Sequence, residues 1–271
     1  MKKNSFEQPL IESETIESLS AKLLATTSKL MESNQELTRI QNERNEMLAN
    51  ISHDLRAPIT AIRSAIDYLT SGKDVTHEDY ESALKLIDRR TKTLEDLIQD
   101  MYYLFCVEDL SKELSYETIA PLAFFEEYFY DALADSRYDE HELNLEMDNS
   151  ISGSIKIDIQ KIVRVMDNLF TNAAKYSPAG TNIDLIVEKS ADSNEIKVSV
   201  KDNGIGIPKE DLKYIFGRTY TVSSARTPNS KTGSGLGLSI VKAIIERHGG
   251  TVGCESEEGK GSQFYFTLPC V

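Results

Sequence analysis

Residues 52–60 read Ser-His-Asp-Leu-Arg-Ala-Pro-Ile-Thr. A neutral imidazole is a good nucleophile near neutral pH. The carboxylate of Asp54 stands next to His53 and can orient the ring or accept its proton. Pro58 lacks an N–H and strains a helix one turn beyond the histidine. Such a pair alone is common on protein surfaces. Three further segments give it a context. Asn168-Leu-Phe-Thr-Asn172-Ala-Ala-Lys175-Tyr176 closes a helical stretch and places Asn168, Asn172 and Lys175 on one side. Carboxamide oxygens can ligate Mg²⁺, a lysine approaches phosphate as a point charge, and Tyr176 offers a flat ring to a base. Taken singly, this segment reads more readily as a polar helix face. Asp202-Asn-Gly204-Ile-Gly206 follows a strand pattern. An aspartate at a strand end can accept a hydrogen bond from an adenine amino group, and the glycines let backbone approach a ring or phosphate. A tight turn without a ligand explains that segment nearly as well. Gly233-Ser-Gly235-Leu-Gly237 opens a helix whose first N–H groups attract phosphate. No Gly-Lys-Ser/Thr follows and no strand directly precedes, so neither the Walker nor the Rossmann pattern is met.

The elements that must position these residues fall into three parts. From Ile16 a seven-residue repeat appears, with Ile16, Leu23, Leu30, Leu37, Arg44 and Ile51 in one row and Leu19, Thr26, Ser33, Ile40 and Met47 in the other. This is a coiled-coil seam, weakened by Thr26, Ser33 and Arg44. His53 lies two positions past Ile51, off the seam and toward solvent. Ser71-Gly72-Lys73-Asp74 breaks the pattern. A second helix is expected over about His77–Val107, with Tyr80, Leu84, Ile87, Leu94, Ile98, Met101 and Phe105 as its apolar row. A lone hairpin cannot cover its apolar stripe, so pairing of two hairpins into a four-helix bundle, hence a homodimer, is expected. Packing on the C-terminal domain of the same chain is the alternative.

After about Glu113 strands and helices mix. Strands are expected at Glu117–Ile119, Leu143–Met147, Ile183–Glu188, Glu195–Lys201, Thr251–Glu255 and Gln263–Leu268, and helices at Leu122–Ala134, Ile157–Lys175 and Leu236–His248. This order predicts an α+β sandwich, helices on one face of a mixed sheet. The fold class is thus multidomain: 1–42 a coiled-coil signalling helix, 43–112 a helical hairpin, 113–271 the α+β sandwich. Phe124, Phe125, Tyr128 and Phe129 read as core. His77 and His141 read as idle. His248 reads as a cation at a helix end, where it suits the dipole.

The 271 residues carry a net charge of −14, which argues against a nucleic-acid surface. Cys106, Cys254 and Cys270 form no CxxC pair, so neither a zinc site nor a disulfide framework is expected. No uncharged run reaches the ~18 residues a membrane span needs. A soluble, cytoplasmic chain with a frayed start over residues 1–10 is expected, either whole or as the soluble part of a membrane-bound protein.

Taken together, an Asn/Lys helix, an Asp-x-Gly-x-Gly strand end and a Gly-x-Gly-x-Gly helix start, in that order after a His-Asp pair, resemble the core of a sensor histidine kinase of two-component signalling. Residues 43–107 are similar to its dimerisation and phosphoacceptor domain. Residues 115–271 are similar to its ATP-binding domain, of the fold shared with gyrase, the Hsp90 chaperone and MutL. The resemblance implies autophosphorylation of His53 from ATP, with Asp54 as the adjacent acid, and transfer to an aspartate of a cognate response regulator. It implies Asn172 as the Mg²⁺ ligand with Asn168 supporting it, Lys175 at phosphate, Tyr176 near adenine and Asp202 reading adenine. It further implies Gly204 and Gly206 shaping the base pocket, Gly233, Gly235 and Gly237 closing over the phosphates behind a mobile lid, and Gly259 and Gly261 in a structural turn. Two positions depart from the family. Ala57 stands where Thr or Asn often helps a water attack the phospho-regulator, which implies weak phosphatase activity. Thr221 stands where an arginine usually meets the γ-phosphate, leaving Arg218 and Arg226 for that role. The second departure favours an alternative: a degenerate kinase that binds ATP, dimerises and signals by contact.

Overall fold

The computed structural model describes residues 8–71, 75–109, 113–190, 194–217, 220 and 235–271. The start of the chain that the sequence marks as frayed lies largely outside them. Contacts divide the chain into two units, Met1–His53 and Asp54–Val271.

The first unit is helical. Helix α1 runs Gln8–Thr70 and continues into the second unit. Ile16, Leu19, Leu23, Leu30 and Leu37 of the seam are all 60% or more exposed, whereas Met47 and Ile51 are buried. A seam that stays helical while its apolar row meets water has its burial still to make.

In the second unit α1 ends at Thr70 and α2 spans His77–Glu108. The Thr76 hydroxyl accepts from the Asp79 amide while the Asp79 carboxylate accepts from the Thr76 amide, a reciprocal cap that starts α2. Ala61, Ala65 and Tyr68 of α1 and Ser82, Ala83 and Leu86 of α2 line one open cleft. Of the apolar row named from sequence, Tyr80, Leu84 and Ile98 are exposed and Ile87, Leu94, Met101 and Phe105 half-buried; the buried residues of α2, Ala83, Leu97, Leu104 and Val107, lie off that row.

The remainder is built on a five-stranded sheet in the order β2-β4-β5-β7-β6. Its strands are β2 Glu142–Met147, β4 Asn182–Lys189, β5 Glu195–Asp202, β6 Val252–Glu257 and β7 Gly261–Pro269. Only β2 and β4 are parallel. Register places Ile183, Leu185 and Val187 of β4 opposite Asp202, Val200 and Val198 of β5, which face Ser262, Phe264 and Phe266 of β7. This row forms one face, and helices α3 Pro121–Leu133, α4 Ile159–Tyr176 and α5 Gly237–Arg247 pack on it. Phe125 packs on Phe266 across the layers at 6.3 Å between ring centres, and Tyr128 meets Phe170 edge-on at 5.4 Å. Burying side chains of this size contributes roughly 2–3 kcal/mol each. The helices-on-one-face sandwich expected from sequence is present.

Two features differ from that expectation. Ile157 belongs to a strand, not to the helix: β3 Ile155–Ile157 pairs antiparallel with β1 Glu117–Ile119 in a separate small sheet. Burial alternates along β3, and the helix starts only after Asp158, whose carboxylate caps it by accepting from the Lys161 amide. The last turns of α2 also pack on the sandwich. Asp100 pairs with Arg164 of α4, Lys161 lies 4.3 Å from the centre of the Tyr103 ring, and Arg247 donates to the Val107 carbonyl at 3.0 Å. Part of the hairpin is therefore covered within its own chain.

Candidate functional site

Helix α4 and helix α5 carry the first half of the site. The Asp158 end of α4 meets the C-terminal end of α5, and Asn168 meets its start. The two helices are therefore antiparallel. A Cβ placed on Gly237 would sit 3.1 Å from Asn168 Oδ1, a distance that only glycine avoids at no cost. Asn168 Nδ2 is shut off from solvent and has no hydrogen-bond partner among the described residues. Leu236 precedes α5 as its N-cap, and its apolar side chain offers the first turn no acceptor. The first amides of a helix need acceptors, and an anion supplies them. A helix start whose N-cap residue is a leucine, beside an Asn168 amide nitrogen that finds no acceptor among the described residues, is suited to receive polar atoms.

Asn172 follows one turn after Asn168 and is half-buried, as are Lys175 and Tyr176. Lys175 Nζ lies over the Tyr176 ring, 4.7 Å from its centre. A cation resting on an aromatic face gains modestly at a partly exposed site and can leave for a phosphate. Burial pushes the Tyr176 hydroxyl upward.

Asp202 forms the other half. It ends β5 on the helix-covered face, and only 5% of it is exposed. Its Oδ1 accepts from the amides of Gly204 at 2.8 Å and Ser262 at 3.3 Å. Burial raises the Asp202 pKa, and those two amides, with the Ser177 hydroxyl that faces the carboxylate, pull it back. Residues at the end of α4 close over this point. The Ile205 amide donates to the Tyr176 carbonyl, and a Cβ on Gly204 would lie 2.4 Å from that carbonyl. What Gly204 admits is thus neighbouring backbone. Gly206, at φ +68°, is likewise pressed against the backbone of Glu257. Both shape the turn that fixes Asp202.

The sequence-predicted residues Asn168, Asn172, Lys175 and Tyr176 lie on one helix. Asn168 meets the start of α5 at Gly237, and Tyr176 meets the turn that follows Asp202. Gly235 precedes α5 with φ +65°. Arg218, Thr221, Arg226 and Gly233, with the rest of the expected lid, lie outside the described residues. Ser177 and the Ser262 amide were not singled out from sequence; an Asp at a strand end paired across the sheet to a Ser gives only a faint signal. On α1, His53 is exposed and Asp54 half-buried. Pro58 is buried within the helix and cannot donate to the carbonyl one turn before it. The described residues hold no cluster of three or more His, Cys, Asp or Glu side chains that could bind a metal.

Residues 43–109 match the family described as His Kinase A (phospho-acceptor) domain, and residues 157–271 match the Histidine kinase-, DNA gyrase B-, and HSP90-like ATPase family. The chain belongs to the histidine kinases. The sensor histidine kinase WalK of Bacillus subtilis is 33% identical over 238 residues, covering 86% of this chain and 38% of that protein. The sensor protein kinase WalK of Staphylococcus saprophyticus is 33% identical over 242 residues, covering 87% of this chain and again 38% of the relative. This histidine kinase chain therefore spans under two fifths of the length of these two relatives. Among solved structures, histidine kinase ThkA in complex with response regulator protein TrrA aligns with TM-score 0.65 and 25% identity, covering 83% of this chain and 61% of that one. Acinetobacter baumannii histidine kinase AdeS aligns with TM-score 0.59 at 24% identity over 80% of this chain and 98% of that one, a likeness of fold. None of the described helices is long and apolar enough to cross a membrane.

Proposed function

We propose that this chain is the catalytic core of a sensor histidine kinase that phosphorylates His53 from ATP and passes the phosphoryl group to an aspartate of a response regulator. The observation that carries this reading is the meeting of Asn168 with Gly237 at the start of α5, on the helix α4 whose last residue, Tyr176, closes over the Asp202 turn. Asp202 accepts from the 6-amino group of adenine. The start of α5 receives phosphate oxygens, and Lys175 leaves the Tyr176 ring to join them. Asn172, supported by Asn168, holds Mg²⁺, which neutralises charge on the triphosphate when bound. An imidazole nitrogen of His53 attacks the γ-phosphorus in line. The bond to the β,γ-bridging oxygen breaks, ADP departs, and Asp54 takes the imidazole proton.

The exposed seam of α1 and the exposed row of α2 support a homodimer through these helices. A cognate regulator docks on the solvent-facing stretch around His53. The core works in the cytoplasm, where ATP is available, as the soluble part of a longer membrane-bound kinase.

Incubation of the purified chain with γ-labelled ATP tests this. Acid-labile, base-stable label that disappears in His53→Gln supports the kinase. Thr221 in place of the usual arginine favours the second reading, a contact-signalling module, and nucleotide binding without label would establish it.

A further inference from the structure

His248 follows α5 and is 6% exposed. Its Nε2 lies 3.0 Å from the Asp158 amide nitrogen, and its Nδ1 lies 2.8 Å from the Ile244 carbonyl oxygen. The amide can only donate and the carbonyl can only accept. Nε2 is therefore the acceptor, and the single ring proton sits on Nδ1. The ring must be neutral to make both bonds. Its role is that of a buried two-ended bracket, not the helix-end cation expected from sequence. Desolvation is the reason: burial pushes the His248 pKa down.

The bracket joins particular places. Asp158 is the N-cap of α4, and its carboxylate accepts from the Lys161 and Ser115 amides. Ser115 belongs to the segment between α2 and β1. Asp158 and Asn168 are ten residues apart, so they lie about 15 Å apart along the helix. His248 and Gly237 stand a similar distance apart on α5. The two antiparallel helices thus touch at both ends of α5: Asp158 with His248 at one, Asn168, midway along α4, with Gly237 at the other. Sliding α5 along α4 at the histidine end changes the gap at the glycine end by the same amount.

We propose that His248 is a positioning residue for nucleotide binding, setting the register of α5 on α4 and with it the gap between Asn168 and Gly237. This rests on the nucleotide reading of the Gly237 end. The charged and titratable groups around the ring come from three directions. The Asp158 carboxylate faces it from α4 and Arg247 from its own helix. The Tyr116 ring meets it edge-on at 5.4 Å, and Lys156 lies over the Tyr116 ring. The Asp158 charge favours protonation and Arg247 opposes it, while Arg247 is engaged by the Val107 carbonyl. Protonation at Nε2 would set an N–H against the Asp158 N–H and open the bracket.

The test uses the full chain and two variants. His248→Phe keeps an aromatic ring without an acceptor; His248→Gln restores an acceptor near the Nε2 position. Affinity for a non-hydrolysable ATP analogue is measured at pH 8 and pH 5.5. Amide hydrogen exchange at Asp158 and over 237–239 is measured without nucleotide. His248→Phe should bind about tenfold more weakly at pH 8 and exchange faster at both ends. His248→Gln should bind within about twofold of wild type at pH 8, and wild type should lose more affinity than His248→Gln at pH 5.5. Unchanged exchange over 237–239 in His248→Phe overturns the register link, whatever nucleotide does. Should His248→Phe fail to fold, His248→Leu, smaller and likewise without an acceptor, replaces it, and unchanged exchange over 237–239 in that variant overturns the link. A wild-type protein that binds no nucleotide, with exchange coupled as described, overturns the nucleotide reading and leaves the mechanical link standing.

Discussion

Asp202 and Ser262 are opposite each other across β5 and β7, and the Ser262 amide donates to the Asp202 carboxylate at 3.3 Å. A buried acid at the end of a strand is thereby oriented by a backbone group whose place the sheet register sets. The carboxylate is held where an adenine amino group can donate to it, yet it is held at a cost. Burial raises its pKa more than the surrounding donors lower it.

That cost predicts opposite effects on stability and binding. An acid whose folded pKa lies above its unfolded value stabilises the fold at low pH and loses that contribution as pH rises through the window between the two. At pH 7 the ionised form is the disfavoured one. Asp202→Asn keeps an acceptor for Gly204 and removes the charge. It should melt at an equal or higher temperature than wild type at pH 7, while adenine nucleotide affinity falls by about a hundredfold, the scale of a lost charge-assisted bond. Calorimetric melting and titration with ADP check the two halves. A variant that binds ADP normally would remove Asp202 from the base site.

Gly237→Ala probes the other end of the site. Alanine is the better helix former, so stability should change by less than about 1 kcal/mol. The added methyl lies 3.1 Å from Asn168 Oδ1, and Asn168 must give way by a few tenths of an ångström. Nucleotide affinity should drop about tenfold, since a shift of that size is felt where ligand groups are positioned within about half an ångström. Urea unfolding and ligand titration on the same preparation separate the effects.

How far these residues could be read in advance depends on how local their causes are. The strand alternation at Ile183, Leu185 and Val187 and at Ile196, Val198 and Val200 is a property of neighbouring residues, and both strands fall where it places them. The Asn168, Asn172, Lys175 side of α4 follows from helical spacing alone. Ile157 misled because an apolar residue before a helix continues the helical pattern, and only pairing with Glu117 reveals a strand. His248 misled for a similar reason. Its sequence context, a basic residue before and glycines after, is that of a helix end, whereas its partner is ninety residues away. The docking of α2 could be read only as the alternative to a dimer, without its contacts, since Asp100 and Arg164 are sixty-four residues apart. Local spacing shows which residues face together. It does not show which distant group meets them.

The Asp100–Arg164 pair allows a direct measurement of that docking. Asp100 is 14% and Arg164 34% exposed, so solvent screens the pair only in part. Arg164 and Lys161 also lie over Tyr103, whose hydroxyl burial pushes up to about 12. Arg164→Ala should destabilise the protein by about 1 kcal/mol, the scale of a partly exposed ion pair. It should also raise amide exchange over the last turns of α2. A double-mutant cycle with Asp100→Asn should return a coupling of similar size. Additive effects would mean that the Asp100–Arg164 pair does not hold α2 and that its other contacts, Leu104, Val107 and the Tyr103 ring among them, do.

The His248 bracket predicts a pH dependence of stability with a definite sign. The folded ring resists protonation, so its folded pKa lies below the ordinary histidine value of about 6.5. Below about pH 6.5 the unfolded chain takes up a proton that the folded chain refuses, and stability falls. Above that pH the contribution is fully present. In His248→Gln the group cannot titrate, and this component vanishes. The remaining histidines and the carboxylates are common to both proteins and cancel in the difference. Urea unfolding at pH 8, 6.5 and 5.5 should therefore show the stability of wild type relative to His248→Gln declining as the solution is acidified, by up to about 1.4 kcal/mol at pH 5.5, one unit below the unfolded value. A difference that stays flat across the three pH values, or grows toward acid, would mean that the ring accepts a second proton in the folded state and that the Asp158 amide does not depend on it.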